Sequence, residues 1–558
     1  MSDKLPPFEH ARTPVELARD WRDQDPDETT RAELTTLIDA ATAGDAEALG
    51  ELTSRFASRL QFGTAGLRGP LGAGPNHMNR VLVSQAAGGL AAYLLARESH
   101  PSIVIGYDGR TNSEVFARDT AVIMAGAGIE TTLLPRHLPT PVLAFAVRHL
   151  DTSAGVMVTA SHNPGTDNGY KVYLGKLDHG SQIVPPADGE IAQAIDRVSK
   201  VSIANLARST DFVIADEEVV NEYVARTAEL GVTSSDLSFV YSAMHGVGWE
   251  TARAVFVAAG FGEPAVVTEQ IEPDAAFPTV AFPNPEEPGA MDLTLALAAD
   301  RNADVAIVND PDADRLAVAI PAATGEWRAL SGNEVGCLLG WRAAMRSDAR
   351  GTLAASIVSS PALRVIAREY HLDYEDTLTG FKWISRVGGL VFGFEEALGY
   401  LVDPDKIRDK DGISAAVDFL SLVAELKAEG RTIEDHLTDF AERFGAYASA
   451  QVSIRVDNLS DIGRMMSALR TTPPASIGGV KVASIDDFID GFEQFAASDI
   501  LRIHLEDGSR VIVRPSGTEP KLKAYIDASS SEGTGLERRA AATARAVELE
   551  AGIRALLV

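Results

Sequence analysis

The chain has 558 residues, enough for about three to four domains of ordinary size. Hydrophobic residues make up 45% and charged residues 23%, which excludes a disordered or fibrous chain and fits a globular protein with a sizeable core. A formal net charge of −29 opposes general nucleic-acid binding, which needs a basic footprint, but a small anionic ligand can still be held where basic groups gather in a cleft.

The single cysteine, Cys337, excludes an intrachain disulfide and any CxxC metal or redox pair; its surroundings read as a core-facing helix. Residues Met1 to Arg22 are charged and contain proline, with no apolar targeting core. No apolar stretch is long enough to span a bilayer, so the expectation is a cytoplasmic protein without a membrane or nucleic-acid partner.

In chain order, helical periodicity runs from Pro14 to Leu60, followed by the glycine-rich Phe62-Gly63-Thr64-Ala65-Gly66-Leu67-Arg68-Gly69. A helix is predicted over Val81 to Leu95, a strand over Ser102 to Tyr107 ending at Asp108-Gly109-Arg110, a helix over Phe116 to Ala127 and a strand over Glu130 to Leu134. The strand Gly155 to Thr159 runs directly into Ser161. The second region repeats this rhythm, with strands Leu237 to Tyr241, Ala265 to Glu269 and Asp304 to Val308, helices Thr251 to Ala259 and Ala290 to Arg301, and a proline-rich loop from Pro273 to Pro288. The third has helices Asn333 to Ala344 and Pro361 to Tyr370, strands Thr352 to Val358 and Leu390 to Gly393, a loop Thr377 to Ile384, and helices Ile413 to Ala428 and Thr432 to Phe444. The last region differs: alternating strands around Gln451 to Val456 and Ile500 to Leu505, a hairpin turning at Asp507-Gly508 between Leu501 to Leu505 and Arg510 to Val513, another strand over Leu522 to Ile526, and a terminal helix over Gly533 to Leu556. The expected domains are 1–208, 209–324, 325–446 and 447–558, three α/β units and one α+β unit. Each of the first three brings polar residues to the carboxyl end of an apolar strand, where open sheets place ligands, so one shared cleft is expected.

Asp310, Asp312 and Asp314 stand at i, i+2 and i+4. Three carboxylates so close repel one another unless a cation is present, and Mg²⁺ takes oxygen ligands and shares them with phosphate. Pro311 stiffens the loop, and Arg315 stands ready for a phosphate at the metal's edge. The alternative is an acidic surface turn with Asx hydrogen bonds. The spacing is not that of an EF-hand loop, because the later glycine and glutamate are absent.

Ser161 lies in Thr159-Ala160-Ser161-His162-Asn163-Pro164. An unactivated serine is a poor nucleophile, so it needs a base or a polarised phosphorus centre, which a metal beside the three aspartates would provide. By itself the run reads equally well as a Ser/Asn turn with a structural histidine. Lys171 is either an electrostatic partner or solvent-facing. Glu395 and Glu396 follow a strand and offer carboxylates to sugar hydroxyls, unless one of the pair instead serves the fold, and Thr379-Gly380-Phe381-Lys382-Trp383 adds a cation and an apolar ring. Arg514-Pro515-Ser516-Gly517-Thr518-Glu519-Pro520-Lys521 joins an arginine fork, two hydroxyls and backbone amides in one turn, which matches phosphate oxygens. Arg68 is a phosphate contact near Ser161 or a surface arginine beside a tight turn; its glycine-rich stretch is neither a dinucleotide fingerprint nor a P-loop.

These motifs, in this order, resemble the α-D-phosphohexomutase superfamily of phosphoglucomutases, phosphomannomutases and related phosphosugar mutases, over nearly the whole chain. The resemblance implies a four-domain, heart-shaped α/β protein around a central cleft. It further implies that phospho-Ser161 donates to a sugar phosphate, giving a bound sugar bisphosphate such as glucose 1,6-bisphosphate, whose other phosphate returns to the serine. Mg²⁺ would be held by Asp310, Asp312, Asp314 and the serine phosphate. Lys171 and Lys382 would have basic catalytic roles, and His162 would support the serine loop. The far phosphate would meet Arg514, Ser516, Gly517 and Thr518. No obligate protein partner is implied. The forms Phe62 to Gly69 and Thr377 to Lys382 resemble the branch with phosphopentomutase, glucose-1,6-bisphosphate synthase and bacterial phosphoglucomutases. Many hexose-specific relatives have serine where this chain has Ala397, so hexose and pentose phosphates both stay open. A metal-dependent phosphatase using Asp310 or Asp312 as nucleophile, and a non-catalytic phosphosugar-binding protein, are the readings from other classes.

Overall fold

The computed structural model describes residues 12–232, 234–322, 324–456, 458–516 and 521–557. The helical stretch expected from Pro14 to Leu60 is three helices, Pro14–Gln24, Glu28–Thr42 and Ala46–Ala57, each with a side-chain N-cap from Thr13, Asp27 or Asp45. Pro26 stands in the first break and Gly44, at φ +97°, in the second.

The described strands form four sheets. In the first, Leu67–Pro70, Asp167–Leu174, Ala154–Val158, Ser102–Tyr107, Glu130–Leu133 and Val213–Ile214 lie side by side, with Ser181–Gln182 added to Asp167–Leu174. The second runs Trp327–Ala329, Leu316–Pro321, Val305–Asn309, Phe239–Ser242, Ala265–Val266, and the third Asp373–Thr377, Thr352–Ser356, Leu390–Glu395, Gly399–Leu401. The first sheet extends past residue 208, because Val213–Ile214 pair with Thr132 and Leu133; the second extends past 324 through Trp327–Ala329. The fourth is antiparallel and six-stranded, backed by the helix Gly535–Leu557. Its hairpin turns where expected, with Gly508 at φ +86° and its N–H donated to the Leu505 carbonyl.

The strands Ala154–Val158 and Val305–Asn309 are buried at every position, which is why they read as unbroken apolar runs rather than alternating ones. The main hydrophobic core does not divide at the unit boundaries. It takes Leu143 and Phe145 from the first unit, Tyr241 and Ile307 from the second, and Phe392 and Phe419 from the third. The C-terminal unit has a separate core around Val452, Ile503, Val513 and Leu549. Among the described residues no helix is long and apolar enough to cross a membrane.

Candidate active site

One supersecondary unit is used three times. A buried parallel strand ends, a polar loop follows, and the chain returns antiparallel to the strand it has just left. Ala154–Val158 leads through Ser161 to Asp167–Leu174, Val305–Asn309 leads through Asp310 to Leu316–Pro321, and Leu390–Glu395 leads to Gly399–Leu401. The second and third loops touch, with Arg315 bridged to Gly399 and the Leu316 N–H donated to the Leu398 carbonyl at 3.0 Å.

Asp310, Asp312 and Asp314 are 0%, 0% and 1% exposed, which rules out the acidic surface turn. One carboxylate oxygen from each lies within 4.8 Å of the others. Lys171, itself buried, donates to Asp312 Oδ2 at 2.7 Å and to Asp314 Oδ2 at 2.9 Å, and so is an electrostatic partner rather than a solvent-facing residue. Lys410 Nζ is 3.2 Å from Asp314 Oδ2. Thr140 grips Asp312 twice, through its hydroxyl to Oδ2 at 2.6 Å and its N–H to the carbonyl at 2.9 Å. Burial and the neighbouring carboxylates push Asp310 well up. Burial also works against ionised Asp312 and Asp314, but Lys171, helped by Thr140 at Asp312 and by Lys410 and Arg315 at Asp314, outweighs it and holds both below the usual carboxylate range. Burial likewise opposes the Lys171 ammonium, yet Asp312 and Asp314 hold it above its ordinary value. Asp312 Oδ1 and Asp314 Oδ1 are buried with no hydrogen-bond partner among the described residues. Two orphaned carboxylate oxygens facing a third acid, in an all-oxygen set, fit a hard divalent cation such as Mg²⁺.

Ser161 brings the first unit to this cluster. Its Oγ donates to Asp310 Oδ2 at 2.8 Å and lies 3.3 Å from His162 Nδ1. The residue sits at φ +52°, a left-handed conformation rare for a side chain with a Cβ, held by its N–H on Thr159 Oγ1 at 2.8 Å. Burial, then Arg315 and Arg68, press the His162 imidazole well below its usual value, so it is neutral. Arg68 Nη1 donates to Asn163 Oδ1 at 3.2 Å, on the rim of the serine loop.

The paired glutamates have different surroundings. Glu396 accepts from the Ser356 and Ser359 hydroxyls at 3.1 and 3.0 Å and is tied into the third unit. Glu395 accepts a backbone N–H, from Gly380 at 2.7 Å, and it faces the charges of Lys410 and Arg315. Burial, then the neighbouring Glu396, raises its carboxyl. Lys382 is in a short helix, Phe381–Ile384, where the sequence predicts only loop. Its ammonium is pushed down by burial, and it reaches across to the Thr64 hydroxyl of the glycine-rich stretch. Arg514, on the strand Arg510–Pro515, is near enough for its charge to act on Lys382. The Ser516 N–H bonds the Lys521 carbonyl at 2.8 Å across the loop between them; Gly517 and Thr518 lie outside the described residues.

Thr140, Lys410 and Arg110 are absent from the sequence-based site. Thr140 and Lys410 come from other units than the aspartates they touch, so no local spacing reveals them. Arg110 had a visible signal in the polar Asp108-Gly109-Arg110 at the end of a buried strand, the same position Ser161 and Asp310 take on theirs.

Family models described as phosphoglucomutase/phosphomannomutase α/β/α domains I, II and III match residues 59–202, 221–324 and 331–444, and the C-terminal-domain model of the same set matches 454–544. A "Probable phosphomannomutase" of Haemophilus influenzae is 58% identical over 482 residues, covering 86% of this chain and 98% of that protein. A "Phosphopentomutase" of Homo sapiens is 34% identical over 538 residues, 87% of each chain. A crystal structure of a "putative phosphomannomutase" from Thermus thermophilus shares the fold, with a TM-score of 0.69 at 23% identity over 89% of this chain and 99% of that one.

Proposed function

The chain belongs to the phosphoglucomutase/phosphomannomutase family of the α-D-phosphohexomutase superfamily, an intramolecular phosphotransferase family, and on that footing we propose that it moves a phosphoryl group reversibly between O1 and O6 of a hexose phosphate, glucose or mannose, with Ser161 as carrier. The observation that carries this reading is the Ser161 hydroxyl placed 2.8 Å from the first of three buried aspartates.

Phospho-Ser161 passes its phosphoryl group to the free hydroxyl of the bound monophosphate. The serine O–P bond breaks as the sugar O–P bond forms, and the hydroxyl proton leaves to a base. The resulting sugar 1,6-bisphosphate turns over in the cleft and returns its other phosphoryl group to Ser161 Oγ. Mg²⁺ would be held by Asp310, Asp312, Asp314 and the serine phosphate, and when bound it neutralises phosphoryl oxygens. Lys171, kept charged by two aspartates, suits an electrostatic role; Lys382, whose charged form burial disfavours, is the better-suited proton acceptor. Glu395 takes the sugar hydroxyls, Arg315 and Arg68 a phosphate near the serine, and Arg514 with Ser516, Gly517 and Thr518 the distal phosphate.

Ala397 and the 34% identical phosphopentomutase favour a second reading, transfer between the 1- and 5-phosphates of ribose or deoxyribose, or bisphosphate synthesis from a separate donor. A bisphosphate-primed assay with Mg²⁺ and glucose, mannose and ribose 1-phosphates tests both. The wild type is expected to isomerise the hexose phosphates with the highest kcat/KM, and Ser161→Ala to isomerise none. Wild-type turnover by Ser161→Ala would sink the serine relay. Dominant use of the pentose would transfer the assignment to the second reading, and net phosphate release without isomerisation would make the protein a phosphatase.

A further inference from the structure

We propose that Arg110 is the positioning residue of the serine loop, and that Phe277 of the second unit covers it; this rests on the reading of Ser161 as phosphoryl carrier. Arg110 follows the strand Ser102–Tyr107, and its side chain is 1% exposed. Its guanidinium meets four carbonyls of one loop. Nη2 donates to Ser161 at 2.5 Å and Asn163 at 2.6 Å, and Nη1 donates to Pro164 at 2.8 Å and Asp167 at 3.1 Å. The planar fork sets the direction of all four bonds at once, which a lysine ammonium on a flexible stem does not do.

Asp108 anchors the backbone of Arg110 and balances its charge from beside the fork. It accepts from the Arg110 N–H at 3.0 Å and from the Ser113 hydroxyl at 2.6 Å, and its Oδ2 is 3.5 Å from Arg110 Nε. On the open side the Phe277 ring lies over the guanidinium, 4.9 Å from centroid to Cζ. Phe277 belongs to the proline-rich loop of the second unit, which is pressed against both partners of the clamp. A Cβ at Gly109 would come 3.0 Å from Pro273 Cβ, and one at Gly165 would come 2.6 Å from the Ala275 carbonyl. The unit that supplies the three aspartates therefore also closes the clamp that aims Ser161 at them. Ser161 holds a left-handed backbone conformation, and its backbone position sets its Oγ at 2.8 Å from Asp310. A displacement of about 1 Å between reacting groups costs on the order of 100-fold in rate.

The test uses the full-length chain with Arg110→Lys, Arg110→Gln and Phe277→Ala, and follows two readouts: transfer of labelled phosphate from glucose 1,6-bisphosphate to Ser161, and steady-state kcat and KM. Both Arg110 variants are expected to lose about 100-fold in labelling rate and kcat, with KM within about threefold and final labelling still near one per chain. Phe277→Ala, which leaves the fork in place, is expected to lose less, about tenfold. Labelling that falls in extent but not in rate would show a purely structural role and overturn the proposal, as would Arg110→Lys turning over like the wild type, since charge alone would then suffice. If an Arg110 variant does not fold, an unchanged labelling rate in Phe277→Ala overturns the covered clamp by itself. Wild-type protein that takes no label at Ser161 would instead overturn the serine-carrier reading.

Discussion

At the scale of single residues, Glu395 and Glu396 stand in one motif with different partners, which predicts different roles for them. Glu396 accepts from two serine hydroxyls through one oxygen, and its loss removes both of those bonds and leaves Ser356 and Ser359 paired only with each other and the backbone, at a cost of about 1–3 kcal/mol. Glu395 keeps oxygen capacity for a ligand. Glu395→Gln is therefore expected to raise KM for the sugar phosphate by about tenfold or more with little change in Tm, because a charge-assisted bond to the substrate is weakened. Glu396→Ala is expected to lower Tm by a few degrees with a smaller effect on KM. Thermal melts beside steady-state kinetics separate the two, and equal KM effects from both variants would reject the division. The sequence shows both glutamates and cannot rank them, since the ranking depends on Ser356 and Ser359, which only the folded chain brings close. The aspartates were legible for the opposite reason: their repulsion is local, so the spacing alone raises a cation as the alternative to an acidic surface turn, and burial then removes the turn.

At the scale of elements, the strand-ending loops were readable because each follows an unbroken apolar run. What the sequence hides is how the loops are braced from behind. Ala243 to Gly248 passes directly under the aspartate loop, with the Val247 N–H donated to the Pro311 carbonyl at 2.9 Å. A Cβ at Gly246 would come 2.2 Å from both Pro311 Cα and Pro311 O, and one at Gly412 would come 2.2 Å from the Arg315 carbonyl. Both contacts are with backbone, which cannot rotate away, so the loop itself must move. Gly246→Ala is expected to destabilise the protein by about 1–3 kcal/mol and to raise the Mg²⁺ concentration needed for half-maximal activity by about tenfold. Titrating activity against Mg²⁺ checks this, and an unchanged midpoint would show that the aspartates tolerate the displacement. The short helix Phe381–Ile384 escaped sequence reading for a related reason: four residues carry no periodicity, and Gly380 at φ +116° starts the helix without a side-chain cap.

At the scale of the whole molecule, four units were visible as a change from alternating strands and helices to a strand-rich end, but their energetic grouping was not. The largest core runs through the first three units, although the first also has a separate core around Ile105, Phe116 and Tyr170. The C-terminal unit has a core of its own and meets the third through two small clusters, around Phe488 with Ile357 and Val358 and around Ala542 with Ala441, and through polar contacts such as Arg510 on the Ser359 carbonyl and Arg539 on Glu434. Ser161 and the three aspartates, all on the side of the shared core, would form one cation site from two units. A cation that binds only the folded site stabilises what it joins by RT ln(1 + [L]/Kd), about 2.7 kcal/mol at one hundred times Kd. Calorimetry is expected to resolve two transitions, with added Mg²⁺ raising the one for the first three units and leaving the C-terminal one in place. Asp312→Asn should remove the Mg²⁺-dependent rise, since it takes a charge from an oxygen set already held by Lys171 and Thr140. A rise of equal size in that variant would mean that the cation binds elsewhere. A single transition that moves as a whole would mean that these apolar and polar contacts couple the C-terminal unit tightly to the rest.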